Sequence, residues 1–426
     1  MTVKAVTRYL ARHAEPEAAL ATRIDGRFDA VVVMPAMGEG PEALDGLGAA
    51  TGGLAIVVVN ARDDHPAEVH AANSALLAML DRRADGARRG RIGGLEVLLI
   101  DRASPGRRLP ARQGVGLARK IGCDVALALV AAGKLGSRWI HWADADAALP
   151  EDFLAAAERA PGDAVALSYP FEHHDSGDAA VDAAHRRYEC YLRYYRLGLQ
   201  AAGSPYAHHT IGSALAFDAS TYAVMRGVPR LLAAEDFYAL GKAAKLGPVA
   251  TPRSAPIRIR ARRSSRVPFG TGRATAEIAS AAAAGDDYLV DHPHGFALLG
   301  AWLGALAAVV ETRSLPSLDA HFAKLAAGDR ATLTSALSAI GAVRALEQAL
   351  ADRSAASLRR RIDDWFDGFR TLKLLHTLRD RGLGETSWRT AIARAPFLAG
   401  IAAGDDESLR RELWLRDYAR LIEMSR

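Results

Sequence analysis

The sequence predicts an α/β fold in which a mostly parallel central sheet is flanked by helices and followed by a C-terminal, all-helical extension. Three observations carry this. Continuous apolar runs at Phe28–Met34, Leu54–Asn60 and Leu95–Asp101 are each followed by polar or Gly-rich residues and a helical segment, the pattern of parallel strands buried on both faces. A fourth run ends abruptly in Asp144-Ala-Asp146 and a helix start at Pro150. From Asp286 onward the periodicity is almost entirely helical.

Taken in order, Met1–Leu20 carries Arg, His and Glu without an apolar signal-like core, and reads as an amphipathic first helix within residues 1–27. The first strand breaks at Pro35-Ala-Met-Gly-Glu39-Gly40. Gly114–Gly133 reads as a helix opening with Gly114-Val-Gly116 and carrying Arg119 and Lys120. Its small residues permit close backbone approach, to a ligand or simply to a packed neighbour. Arg119 or Lys120 could then contact phosphate. Ala164–Tyr169 is a further strand, and Asp182–Gln200 a helix with a tyrosine stripe at Tyr188, Tyr191 and Tyr195, more often core or groove lining than a catalytic device. The run Leu215–Phe217 follows a polar entry containing His208, His209 and Gly212. Glu235-Asp236 opens an amphipathic helix, where carboxylates favour the positive end of the helix dipole. Later helices are expected at 296–311, 318–327, 330–353, 355–369 and 409–423. These elements group into an N-terminal helix (1–27), a catalytic α/β domain (28–285) and a helical region (286–426).

At 426 residues the chain exceeds one typical core. Half of its residues are hydrophobic and 24% charged, which excludes a disordered class. Its two cysteines, Cys123 and Cys190, are too few and too separated for a disulfide framework or a cysteine metal site, so the expected compartment is reducing, with cytoplasm the default. The net charge is only +5, yet seven arginines fall between Arg253 and Arg273 with no carboxylate among them. Such a stretch can clamp phosphates. No aromatic-rich RNA motif accompanies it, so no nucleic-acid partner is expected. The charge-free run Gly295–Val310 falls short of the roughly 20 residues that span a bilayer, and reads as a buried helix rather than a transmembrane span. Peripheral membrane attachment through the basic loop or this helix stays open, as does a homodimer.

In an open α/β sheet ligands bind beyond the carboxyl ends of the strands, and the polar candidates collect there: Pro35, Ala36 and Glu39, then Asn60, Arg62 and Asp64, then Asp101, then the paired aspartates. A bare Asp-x-Asp is usually a solvated turn. At a strand end, however, residues two apart point the same way, so Asp144 and Asp146 can reach one Mg2+ or Mn2+ that neutralises a leaving diphosphate.

The order of pieces over roughly residues 28–250 resembles the family 2 glycosyltransferases of GT-A fold, a Rossmann-like architecture. Pro35-Ala36-x-x-Glu39 resembles that family's first-strand motif, Gly116-x-Ala118-Arg119 its glycine and basic segment, Asp144-x-Asp146 its DxD motif, and Glu235-Asp236-x-x-x-Leu240 its late acidic motif. Two departures stand out. The second strand ends in Val59-Asn60-Ala61-Arg62-Asp63-Asp64 instead of an Asp-rich turn, and the spacing after the acidic pair is one residue off the commonest form. The resemblance implies a hexosyltransferase-type enzyme that moves a sugar from a nucleoside diphosphate sugar, through Mn2+ or Mg2+, to an acceptor hydroxyl on a small metabolite or glycan. Similarity to retaining enzymes acting on small acids such as glycerate derivatives would add His292 or His294 as a metal ligand.

On this expectation Asp144, Asp146 and His294 hold the metal. Pro35, Ala36, Glu39, Asn60, Asp64, Arg119, Asp144, Arg266 and Arg273 bind the donor, with Arg266–Arg273 as a lid. His208 and His209 face the acceptor, and Asp236 or Glu235 is the general base. Two alternatives remain. A sugar nucleotidyltransferase would normally place a basic residue after its first strand, and Pro35–Gly40 has none. A non-catalytic binding or scaffold protein would use the helical tail as a dock.

Overall fold

The computed structural model describes residues 3–48, 50–81, 88–263, 270–315, 317–351, 354–402 and 404–425. The chain divides into two compact units. The first comprises Met1–His185, Thr210–Ala276 and Tyr418–Arg426, and the second Arg186–His209 and Glu277–Asp417.

The first unit is built on an eight-stranded sheet. In chain order its strands are β1 (Ala30–Ala36), β2 (Thr51–Asn60), β3 (Arg88–Ile92), β4 (Gly94–Arg102), β5 (Trp139–Trp142), β7 (Ala166–Ser168), β9 (Leu215–Asp218) and β10 (Val249–Ala250). The short β6 (Ala147–Ala148) and β8 (Phe171–His174), between them in the chain, and β11 (Ile257–Arg260), after the last, form a second sheet. The large sheet is ordered β10-β7-β9-β5-β1-β2-β4-β3. Its centre is parallel, β5 to β1 to β2 to β4, as the continuous Val and Ile runs predict. Strand β9 lies antiparallel between β5 and β7, and β3 antiparallel to β4 at the edge.

The first strand runs on through Pro35 and Ala36 instead of breaking at Pro35. The register explains why proline is tolerated there. Val33 accepts from the Ala143 amide on the β5 side (3.0 Å), and alternation turns Pro35 to that same side, beyond the last β1–β5 pair at Val33 and Trp142. A missing N–H costs no ladder bond at that point.

Both faces of the sheet are covered. On one, Val31, Val33, Ile56 and Val58 join a core with the Val115–Ala131 helix. The approach is close enough that a Cβ on Gly122 would sit 2.4 Å from the Val33 side chain. On the other, His141, which shares its face with Val32, packs against Phe153 with ring centroids 5.2 Å apart. The N-terminal segment is a helix at Val3–Arg12 followed by a 3-10 turn at Pro16–Arg23, not one helix to Leu20, because the residue preceding Pro16 is pushed to extended backbone. It docks by burying Tyr9, whose hydroxyl donates to Asp124 (2.6 Å) alongside that of Tyr222 (2.7 Å). Lys120 donates to the other Asp124 oxygen (2.5 Å) and pairs with Glu15 (3.2 Å).

The second unit is mainly helical. Its core centres on the His294–Thr312 helix, with Phe296, Leu298, Trp302 and Val309 packed among Leu333, Leu374 and Trp388. Among the described residues this is the one helix long and apolar enough to cross a membrane. The periodicity at 330–353 resolves into two helices, Ala327–Ala339 and Ala342–Leu350. They divide at Gly341, whose φ of +75° glycine adopts readily. Likewise 318–327 shortens to Leu318–His321, and 355–369 ends at Trp365. A two-stranded ribbon pairs Leu289–Asp291 with Glu385–Ser387.

Gly116 shows that the glycines opening the Val115–Ala131 helix serve packing. A Cβ there would fall 2.3 Å from the Pro229 carbonyl oxygen and 2.6 Å from the Leu231 nitrogen, both backbone atoms that cannot swing away. Gly116→Ala is therefore expected to lose about 1–3 kcal/mol of stability, read as a lower urea midpoint at unchanged m-value.

Candidate functional site

The carboxyl ends of β1 and β5 lead into a cluster of opposed charges in the first unit. Its centre is Arg119, on the second turn of the Val115–Ala131 helix and only 1% exposed. The guanidinium lies 4.6 Å from the centroid of Trp142, the last residue of β5. It donates through Nη2 to Asp144 Oδ1 (2.6 Å), through Nε to Glu235 Oε1 (3.1 Å) and through Nη1 to the Ala143 carbonyl (3.3 Å). Burial alone would weaken its charge, but Asp144 and Glu235 hold it protonated. One side chain thus ties a strand end to the Glu235–Ala244 helix.

Ala234, immediately before that helix, takes the left-handed conformation (φ +63°), a strained backbone for a residue with a Cβ. It precedes Glu235 and Asp236 at the first turn. Gly212 brings the groups to a common point. A Cβ added there would lie 3.1 Å from Arg119 Nη2, 3.3 Å from Asp144 Oδ2 and 3.3 Å from Asp236 Oδ2. A side chain at this position would press on all three groups at once, and glycine leaves them room.

Asp146 is held from another direction. Its backbone carbonyl accepts from the Arg260 amide (2.9 Å), and its side chain accepts from Arg262 Nε (2.6 Å). Arg262 also reaches Glu39 Oε1 at 3.5 Å. Over these seven groups, five carboxylates (Glu39, Asp144, Asp146, Glu235, Asp236) face two guanidiniums (Arg119, Arg262), an excess of three negative charges if all ionise. The electrostatics follow. Asp236 is pushed up to about 7, first by burial and then by Glu235 beside it. Asp146 is raised by burial and by Asp144 and Glu39, against the pull of Arg262. Glu235 is raised by burial despite Arg119.

The other residues singled out in the sequence fall in several places. Pro35 and Ala36 are the last, buried residues of β1. Asn60 is 2% exposed, and its amide donates to the Ala36 and Val58 carbonyls (3.0 and 3.2 Å). Asn73 in turn donates to the Asn60 carbonyl (2.9 Å) and accepts from the Gly38 amide (2.9 Å). Asn60 therefore ties the first-strand loop in place. Asp64 is exposed and paired with Arg62 (2.9 Å). Lys120 turns to Asp124 and Glu15, an anchoring role in place of the phosphate contact its position beside Arg119 suggested. Arg273 lies on the Thr271–Ala284 helix. Arg266 falls outside the described residues, as does half of the Arg266–Arg273 segment read as a lid.

The histidines belong to the second unit. His294 heads its long apolar helix and its Nε2 lies 2.9 Å from Asp329, and the neighbouring His292 Nδ1 accepts from the His294 amide (3.2 Å). His208 stands against Tyr206, ring centroids 6.3 Å apart. His209 is 5% exposed and donates from Nε2 to Asp417 (2.7 Å). Asp417 also accepts from Arg193 (3.2 Å) and from Arg196, and Arg193 reaches Glu189 one helical turn back (2.7 Å). Such a pattern is a buried ion cluster, and nothing in the local sequence around His209 announces a partner more than 200 residues away.

No protein-family model matches the chain, and no curated protein matches it. Among solved structures it is similar to S. aureus TarS 1–349 in complex with UDP-GlcNAc, at 11% identity and a TM-score of 0.33, over 79% of this chain and 91% of that one. It is similar also to a second structure of S. aureus TarS 1–349, at 11% identity and a TM-score of 0.30 over the same shares. At that identity and score the reading of the site rests on this chain's own residues.

The Asp417 cluster has a measurable consequence. Burial would raise this carboxyl, but His209, Arg196 and Arg193 outweigh it and bring it down to about 2, from an ordinary 3.8. A depressed carboxyl contributes stability that is present above its unfolded value and lost as pH falls through the folded one. About 2 kcal/mol should therefore disappear between about pH 4 and pH 2, and Asp417→Asn should show a flatter acid limb in urea melts across that window.

Proposed function

We propose that the chain is a glycosyltransferase that moves a sugar from a nucleoside diphosphate sugar to an acceptor hydroxyl, with Asp144 and Asp146 holding a divalent cation. The observation that carries this reading is the convergence of Arg119, Asp144 and Asp236 on the Gly212 backbone, beyond the carboxyl ends of the parallel strands. A sheet edge of that kind is where α/β proteins bind nucleotides.

The residues fit a cation held jointly with substrate. Among the described residues no group of three or more His, Cys, Asp or Glu is arranged to hold a metal alone. Two carboxylates with an excess of negative charge around them match the habit of Mg2+ and Mn2+, which take one or two carboxylates and complete their shell with phosphate oxygens and water. Bound there, the cation would supply charge to offset the departing diphosphate.

The chain's own groups supply the rest. Arg119 fixes the Asp144 rotamer and neutralises Glu235, so that Asp144 Oδ2 and Asp236 Oδ2 stay turned toward Gly212. Asp236 takes the proton of the acceptor hydroxyl as its oxygen bonds to the sugar carbon and the bond from that carbon to the diphosphate breaks. A base poised near 7 is suited to this task. Arg262, clasped between Asp146 and Glu39, is the described arginine of the basic stretch best placed to exchange a carboxylate for a phosphate.

Two experiments check the reading. In a thermal-shift screen of nucleoside diphosphates and nucleotide sugars, each with and without Mn2+, a ligand is expected that raises Tm only with the metal. Asp146→Ala should fold and lose that shift together with transfer, so a fully active Asp146→Ala enzyme would remove the metal from the mechanism. Because only the ionised form of Asp236 accepts a proton, kcat/KM should rise tenfold per pH unit up to about 7 and then level. Asp236→Asn should lower kcat by about 10^2 to 10^4, and a retained profile would move the base elsewhere.

A further inference from the structure

The second unit contains a cluster of tyrosines beside a buried aspartate that the reading above does not use. Tyr188, Tyr191 and Tyr195 form a row along one helix, with successive ring centroids 6.5 and 6.0 Å apart. Tyr288, arriving from the segment before the Leu289–Asp291 strand, stands nearly perpendicular to the middle ring, at 79° and 6.0 Å. All four are only partly buried. At their base lies Asp291, 6% exposed.

The hydrogen bonding of Asp291 is incomplete. Its backbone carbonyl accepts from the Tyr194 hydroxyl (2.7 Å), and Oδ2 accepts a long bond from the Tyr191 hydroxyl (3.4 Å). The buried Oδ1 has no hydrogen-bond partner. A carboxylate removed from water needs a counter-charge or a full set of donors. The nearby groups do not supply it. Arg379, the guanidinium closest in charge to Asp291, is already paired with Asp380 (2.9 Å) and with Glu385 (3.4 Å), the strand partner of Asp291. Three carboxylates therefore face one guanidinium and the imidazole of His376. Burial pushes the Asp291 carboxyl up, with His376 and Arg379 opposing.

An incompletely hydrogen-bonded buried carboxyl group beside several tyrosine rings has the chemistry of an ammonium receptor, since a bound cation would favour its ionised form. Aromatic faces attract organic cations through the ring quadrupole, and a buried carboxylate gains more from a cation than from a neutral hydroxyl. We propose that Tyr188, Tyr191, Tyr195 and Tyr288, with Asp291 at the base, form a binding site for an organic ammonium group on a small ligand. The site lies within the second unit and is independent of the transferase reading.

Choline and its uncharged isostere 3,3-dimethyl-1-butanol, titrated into the full chain and followed by tyrosine ring NMR shifts, give the test. Saturable choline binding is expected, at least tenfold tighter than for the isostere, at least tenfold weakened in Asp291→Asn and unchanged in Asp146→Ala. Should Asp291→Asn fail to fold, Tyr288→Leu carries the comparison and should weaken choline at least threefold. Equal binding of the isostere, no binding of choline, choline affinity indifferent to these substitutions, or saturation by N-acetylglucosamine in place of choline would each overturn the proposal. Loss of nucleotide-sugar binding in Asp146→Ala with choline binding intact would support the ammonium site while testing the transferase site separately.

Discussion

The buried guanidinium of Arg119 is the contact on which the candidate site depends. A charge so deeply enclosed is tolerable only when it is paired and hydrogen-bonded on every side, and here three acceptors and an aromatic face enclose it. The acceptors come from the β5–β6 turn and from a helix more than 90 residues later. The same pairings that make the arginine affordable in the core define where Asp144 and Glu235 stand. Removing the guanidinium would strip Asp144 and Glu235 of the counter-charge they share, so site geometry and fold stability rest on the same atoms.

Much of the architecture was readable because strands buried on both faces leave an unmistakable apolar run, as at Val31–Met34 and Ala55–Val59. The edge strand β3, Arg88-Arg-Gly-Arg-Ile92, was not, since its charged residues lack both the run and the alternation that mark a strand. The antiparallel insertion of β9 was equally hidden, because Leu215–Asp218 is too short to state a direction. Local composition did announce the site's carboxylates at Asp144, Asp146, Glu235 and Asp236. It could not reveal what each one pairs with, since Arg119 and Arg262 find their partners through tertiary structure. Asn60 and Lys120 are polar residues at a strand end and near a helix start whose side chains bond to the protein itself, contacts that local composition does not announce.

The second unit manages charge differently. The Asp417 cluster brings together two arginines, a histidine and a carboxylate with nearly complete pairing, whereas Asp291 is left with an oxygen unmatched. Native interiors satisfy most buried polar atoms, and a single unit holding both a well-paired and a poorly paired buried aspartate separates scaffold from receptor by that contrast.

Arg119 and Lys120 are consecutive residues on one helix, yet they look in different directions. The former reaches Asp144 and Glu235, and the latter reaches Asp124, Glu15 and the hydroxyl of Tyr9. A helix turns about 100° per residue, so neighbouring side chains of like charge can serve opposite walls of the same layer. The Val115–Ala131 helix is in effect a shared axle with the candidate site on one side and the leading segment Val3–Arg23 on the other. Stripping away that segment would wet Lys120 and Asp124 and slacken the very turn that carries Arg119, so a cut far from the carboxylates in sequence would be felt among them in space.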